Sequence, residues 1–500
     1  MSDPWAIARL TAAELLQHYP SGALSPVDVC EALIEVVEDA EPVLNALSTW
    51  SPDDALTQAR ASEARWQQGK PAGPVDGVPV TVKENLARAG IPMAAGNAGV
   101  DPVVPERSSP VVERLTEAGA VVIGSTVMPD WGMLSSGVSS LHGITRSPWN
   151  PAWTTGGSSS GAGAAAAAGY APLHIGTDIG GSIRLPGTWL GLAAFKPSSG
   201  RVPLDTPYLG RVAGPITRTV SDAAVLMSVI TRPDDRDWTA LPPENLPWDE
   251  VGLTSMDVQG LRVGLQLDSG CGLPVDPQIT RIVAKAAQTF EAAGAVVEPL
   301  GPFLTDELLG DLDTFWRVRS WNDFVKLTPE GQARVLPFIR RWVTATRDVS
   351  GGRVLACYNS ILEIQRRSVA ATLPFDLVLS PVAPMVAFPA EWPMPFGDED
   401  RGMIHIGFTA PCNMSGQPSM TVNAGFTEDG RTVGLQLSGR RFDDVGVLRA
   451  AAWYESARPE EAVPTWPIRR RSVEQAELSL TPTAGSPPPT SESAGSRLGS

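Results

Sequence analysis

The chain of 500 residues is 43% hydrophobic and 19% charged, the make-up of a soluble globular protein with room for one large α/β domain or two smaller ones. Its formal net charge of −16 disfavours a nucleic-acid backbone or an anionic membrane surface as partner, because both reward a basic face. The four cysteines, Cys30, Cys271, Cys357 and Cys412, are far apart and form no CxxC pair, so they predict buried free thiols rather than a disulfide framework or a zinc site.

No basic region followed by an apolar run opens the chain, so no signal peptide is expected and the predicted location is cytoplasmic. Ser25-Pro26 reads as N-cap and first-turn proline of a helix whose Val29, Leu33, Ile34 and Val37 share one face. Gly77 to Lys83 (Gly-Val-Pro-Val-Thr-Val-Lys) predicts a short buried strand with Lys83 at its exit. Ser109-Pro110 starts another helix, and Ala120 to Gly124 is a buried strand after it. Helix followed by strand is the pattern of an α/β sheet. Ala162 to Ala168 is the most apolar run but far too short to span a bilayer; its small residues predict a helix over 161–168 that approaches the sheet closely. From about 301 to 372 the chain turns helical and carries Trp316, Trp321 and Trp342. Phe375–Pro381, Ser419–Val422 and Val433–Leu437 read as late strands of the same sheet. The segment 471–500, with Gly485-Ser486-Pro487-Pro488-Pro489, offers too little apolar surface to fold and is expected to be disordered.

Two serines each follow a Gly-Gly pair: Ser158 in Thr155–Gly161 and, 24 positions on, Ser182 in Thr177–Arg184. Glycines without Cβ atoms let backbone N–H groups come close to a ligand, and a hydroxyl beside such donors is what acyl transfer requires. Phosphate binding is disfavoured, since neither loop carries the lysine of a P-loop and no GxGxxG leaves a strand. A serine nucleophile needs a base. The four histidines, His18, His142, His174 and His405, adjoin no GxSxG elbow. A lysine can serve when burial holds it neutral, and Lys83, ending an apolar strand, is the best candidate.

Lys83 in Gly-Val-Pro-Val-Thr-Val-Lys-Glu-Asn, Ser158 in Gly-Gly-Ser-Ser-Ser-Gly and Ser182 in Thr-Asp-Ile-Gly-Gly-Ser-Ile-Arg-Leu-Pro together resemble the amidase signature family. Ser147-Pro148-Trp149-Asn150 and Thr409 to Pro418 (Thr-Ala-Pro-Cys-Asn-Met-Ser-Gly-Gln-Pro) extend the resemblance, which covers roughly residues 5 to 465. It implies an α/β fold in one large domain over 1–470, with a mixed central sheet flanked by helices on both faces. The core would occupy 70–230 and variable substrate-pocket helices about 300–372. It implies further that Ser182 is the nucleophile, that Ser158, on a cis peptide bond, relays a proton, and that Lys83 is the base. The N–H groups of Ile179, Gly180, Gly181 and Ser182 would form the oxyanion hole, and Asp178 and Arg184 would brace the loop. Trp131, Gly132 and Met133 would lie beside the acyl pocket. Ser160 departs from the glycine usual in the family and is expected to add a local hydrogen bond; Thr155 stands where proline or serine is common.

The expected activity is hydrolysis of small or medium, uncharged amides, with anilides, esters and carbamates open to the same acyl chemistry. No cofactor and no metal is expected. The partner is a small-molecule amide, with no nucleic acid, no membrane and at most a second copy in a homodimer. Trp316, Trp321, Phe324 and Trp342 read first as helix core and second as an aromatic substrate pocket. A glutaminase subunit of a tRNA-dependent amidotransferase shares the motifs, but the acid such subunits place before the Thr-x-Pro segment is missing from Ile404-His405-Ile406-Gly407-Phe408. A catalytically silent amidase fold used for binding is the third reading, and the presence of Lys83, Ser158 and Ser182 argues against it.

Overall fold

Capping chemistry starts the first long helix where the sequence predicts it. Ser25 Oγ accepts the Asp28 N–H at 3.1 Å, the Asp28 carboxylate accepts the Ser25 N–H at 2.8 Å, and helix Pro26–Leu44 follows. In this computed structural model residues 3–252, 256–396 and 401–467 are described; the expected tail over 471–500 lies outside them.

The strands, in chain order, are β1 (Leu47–Trp50), β2 (Pro79–Lys83), β3 (Val121–Thr126), β4 (Val138–Ser139), β5 (Gly143–Ile144), β6 (Leu173–Asp178), β7 (Ala193–Lys196), β8 (Val212–Thr217), β9 (Arg262–Leu265), β10 (Val296–Pro299), β11 (Leu377–Pro381), β12 (Ser419–Phe426) and β13 (Thr432–Gly439). All but the β4–β5 hairpin join one eleven-stranded sheet in the order β1-β3-β2-β6-β8-β7-β12-β13-β11-β9-β10. Both wings are parallel (β3-β2-β6 and β11-β9-β10), and antiparallel pairs link them through the centre. Every residue of β2, β3, β6, β8, β11 and β13 is buried, which requires cover on both sheet faces, and helices supply it.

Strand β2 lies between β3 and β6, with Val80 opposite both Val122 and Leu173. The parallel strands β2 and β6 therefore end together, and Lys83 and Asp178 emerge at one edge, the carboxyl end where α/β sheets place ligands. Helix Ser160–Ala168 fits beside this edge because it has almost no side chains. A Cβ on Gly161 would strike the Ala46 carbonyl oxygen and come within 2.5 Å of the Val127 nitrogen; one on Gly163 would meet Leu190 at 2.7 Å.

The four cysteines are buried and unpaired, as composition predicts. Among the described residues no helix is long and apolar enough to cross a membrane. The helical stretch after residue 301 consists of Asp306–Phe324, Pro329–Arg334, Pro337–Thr344 and Gly351–Thr372, and it builds a second apolar cluster with Met133, Leu134, Leu185 and Trp189.

Candidate active site

Lys83 is fully buried at the end of β2, and its Nζ lies 2.8 Å from Ser158 Oγ and 3.1 Å from Ser159 Oγ. Burial disfavours the ammonium and Arg211 repels it; these outweigh Asp178 and Glu84 and hold the lysine well below its usual range. A lysine whose charged form is disfavoured and whose Nζ touches a hydroxyl is placed to accept a proton from it.

Ser158 follows a cis Gly157–Ser158 peptide bond. Its neighbour Ser159 ties this loop to β6: Ser159 Oγ accepts the Thr177 N–H and donates to the Thr177 carbonyl, each at 3.2 Å, while the Ser159 N–H meets the Ser182 carbonyl at 3.2 Å. Ser160 Oγ donates to the Val127 carbonyl at 3.2 Å, a partner from a distant segment and not the local one expected. Thr155 Oγ1 donates to the Gly156 carbonyl at 3.0 Å.

The Ile179–Ser182 loop leaves β6 and enters helix Arg184–Leu190. Asp178 and Arg184 form a fully buried fork-to-fork pair, Nε to Oδ2 and Nη2 to Oδ1, both at 3.1 Å. Burial alone would raise the Asp178 carboxyl, but Arg184, the Ile183 N–H and Asn413 hold it well below the usual carboxylate range. Asp178 Oδ1 also takes the Gly181 N–H at 2.7 Å. This corrects one expectation. The Gly181 N–H is taken by the loop's own brace, whereas the expectation counted it among the oxyanion donors with Ile179, Gly180 and Ser182.

Three bracing residues were not assigned from sequence. Asn413 bridges Asp178 Oδ1 at 2.9 Å and Arg184 Nη2 at 2.6 Å, Gln436 accepts from Arg184 Nη1 at 2.9 Å, and Thr409 donates to the Gly180 carbonyl at 2.6 Å. Asn413 and Thr409 belong to the segment that carries the resemblance, but only the fold brings them to the loop.

Ser158 and Ser182 line one cavity of about 430 Å³ together with Asn85, Trp131, Gly132, Tyr208, Arg211 and Arg319. A narrower apolar recess beside Ser182 is walled by Met133, Leu185, Trp316 and Ile406. Trp131, Gly132 and Met133 are thus beside the serines, as expected. Of the aromatic residues, Trp316 reaches the site, where a Cβ on Gly180 would come within 2.8 Å of its ring. Trp342 packs in the helix core, where its Nε1 donates to Asp313 at 3.2 Å.

Histidine plays no part in this cavity. His174 Nε2 lies 2.9 Å from the Ala171 carbonyl, which only accepts, so Nε2 carries the proton and Nδ1 takes the Thr81 hydroxyl at 2.7 Å. Burial lowers His174 and His405 to about 3, so both are neutral structural groups. His142 pairs with Glu84 at 3.0 Å in a separate cavity. Among the described residues no cluster of three or more His, Cys, Asp or Glu could hold a metal.

A model of the family described as Amidase matches residues 28–448. The chain belongs to that family. It is 32% identical over 480 residues to a glutamyl-tRNA(Gln) amidotransferase subunit of Chloroflexus aurantiacus, covering 89% of this chain and 96% of that protein. It is also 32% identical over 463 residues to an acylamidase of Rhodococcus erythropolis, covering 90% and 96%. In structure it is similar to a bacterial aryl acylamidase of the amidase signature family, with a TM-score of 0.83, 29% identity, and 90% and 96% of the two chains covered. The family membership makes this chain a hydrolase of amide C–N bonds on an amidase fold.

Proposed function

We propose that the protein cleaves small or medium amides through an acyl-enzyme on Ser182, with Ser158 and Lys83 as its proton relay. The observation that carries this reading is the 2.8 Å contact between Lys83 Nζ and Ser158 Oγ in the wall of the cavity that also exposes Ser182.

The relay runs in both directions. Neutral Lys83 takes the Ser158 proton as Ser158 takes that of Ser182, and the freed oxygen pair bonds the amide carbon. The C=O electrons move to oxygen, and the resulting oxyanion faces the N–H groups of Ile179, Gly180 and Ser182, each such donor being worth about 3–4 kcal/mol. The C=O then re-forms and the C–N bond breaks. The nitrogen leaves as a neutral amine because Lys83 returns the proton through Ser158. Water repeats the sequence on the ester, giving the acid and free Ser182. No step calls on a cofactor. Anilides, esters and carbamates fit the same scheme, and the four unpaired thiols support a reducing, cytoplasmic location.

The test is amine release across a panel of amides, anilides and esters, with labelling of Ser182 by a fluorophosphonate. Wild-type protein should do both and Ser182→Ala neither; amine release surviving in that variant would end the assignment. The similarity to an amidotransferase component supports a second reading, a glutaminase with partner subunits. Against it stands the 404–408 segment without an acid. Hydrolysis of L-glutamine with no activity on aryl or alkyl amides would favour it.

A further inference from the structure

The cavity of Ser182 holds two cations that no described carboxylate reaches within ion-pair distance. Arg211 and Arg319 both line it, and neither forms an ion pair with any described residue. The guanidinium of Arg319 stacks on the Tyr208 ring at 5.1 Å, with Nη2 2.9 Å from Met133 Sδ, a weak and uncharged acceptor. Burial depresses Arg211, and the charge of Arg319 depresses it further, so the two guanidinium groups face each other's field. Two carboxylates, Asp178 and Asp323, line the same cavity, and neither forms an ion pair with Arg211 or Arg319. Asp178 is saturated by Arg184, Asn413 and the Gly181 and Ile183 N–H groups, and exposed Asp323 pairs with Lys326 at 3.0 Å. In a chain of net charge −16, two arginines without a described acidic partner, half-buried beside a nucleophile, are costly unless something anionic joins them.

We propose that the substrate is an amide bearing a carboxylate, which Arg211 and Arg319 bind in the cavity of Ser182. This rests on the amide-hydrolase reading and replaces the uncharged amide expected from sequence with an anionic one. A carboxylate offers paired planar oxygens that match a guanidinium fork. A phosphate would need further N–H donors, and the free ones here, on Ile179, Gly180 and Ser182, face the reacting carbonyl. Arg211 and Arg319 act on specificity. They hold the far end of the substrate and take no proton in the reaction.

The experiment compares matched pairs. Succinyl-4-nitroanilide, with its carboxylate on the acyl side, is set against butyryl-4-nitroanilide; N-butyryl-4-aminobenzoate, with its carboxylate on the amine side, is set against butyranilide. At least one anionic member should exceed its neutral partner in kcat/KM by tenfold or more, chiefly through KM. Arg211→Gln and Arg319→Gln should each erode that ratio by about ten- to a hundredfold, the value of a charge-assisted hydrogen bond. Arg211→Lys should restore part of it. Because Arg211 also acts on Lys83, its loss changes turnover of every substrate, and the ratio cancels that shared effect. Turnover of the neutral anilides shows that each variant is folded. As a check independent of variants, succinate or 4-aminobenzoate should inhibit neutral-anilide turnover competitively, and less so at high salt. Neutral anilides cleaved as well as or better than both anionic ones, or ratios unchanged in both glutamine variants, would overturn the carboxylate while leaving the hydrolase standing. No amide turnover and no fluorophosphonate labelling would remove both.

Discussion

At the scale of single residues, the proposed mechanism depends on a lysine whose charged form is disfavoured by where it sits. Burial and Arg211 both disfavour the charged form of Lys83, so the free amine persists far below pH 10.5, and the acid limb of kcat/KM should fall well below that value. Replacing Arg211 by Gln removes one of the two effects that lower this lysine. Its pKa then rises, and the acid limb measured with a neutral anilide should move to higher pH; an unchanged or lower limb would count against Lys83 as the base. Ser182→Ala should cut kcat by about 10⁴-fold or more, and Lys83→Ala should cripple amide turnover at neutral pH. The brace behind the loop is a separate matter of stability. Arg184→Gln leaves Asp178 buried without its cation and should cost about 3–5 kcal/mol in urea unfolding; a loss under about 1 kcal/mol would show that Asn413 and the N–H groups suffice alone. Lys83, Ser158 and Ser182 were legible as candidates in the sequence because their three motifs occur together, each being weak alone. Arg211, Arg319 and Gln436 carried no such sign, since what singles them out is a cavity and a buried partner contributed by distant segments.

At the scale of elements, boundaries followed from capping and small residues. The helix from Pro26 begins where Ser25 and Asp28 exchange hydrogen bonds, and Ser25→Ala should lower stability by about 1 kcal/mol, read as a drop in Tm. The helix Ser160–Ala168 is set by contact rather than by capping. Gly161→Ala pushes a methyl group into the backbone at Ala46 and Val127, neither of which can rotate away. It should therefore reduce both Tm and turnover, because the displaced helix carries Ser158 at its entrance; a stable, fully active variant would show that the backbone yields there. Sequence predicted this helix and its closeness to the sheet, but not the partner it touches. In the same way, Ile179, Gly180, Gly181 and Ser182 were equivalent as a run of backbone donors. They ceased to be so once Asp178 claimed the Gly181 N–H.

At the scale of the whole molecule, the chain from residue 3 to 467 closes on itself. Trp466 packs edge-on to Trp149 at 6.0 Å, and a Cβ on Gly169 would meet Pro467 at 2.8 Å. Deleting 471–500 should leave Tm and kcat/KM unchanged, whereas deletion from residue 463 should lower Tm; parity between the two truncations would contradict an anchoring role for Trp466. The division of labour between sequence and fold follows from the range of the forces. Periodicity, caps, glycine pairs and the lysine at a strand end are local, so the α/β class and most element positions could be read from the chain alone, while the roles proposed for Lys83, Ser158 and Ser182 came from the joint resemblance of their motifs to a family. Strand order, the brace of Asn413 and Gln436, and the two arginines in the cavity depend on contacts between residues far apart in sequence. Burial then decides protonation and charge pairing, which no local pattern encodes. The chain carried the lysine and the two serines of the proposed relay; only the tertiary structure commits the Gly181 N–H to Asp178 and leaves Arg211 and Arg319 without an ion-pair partner among the described residues.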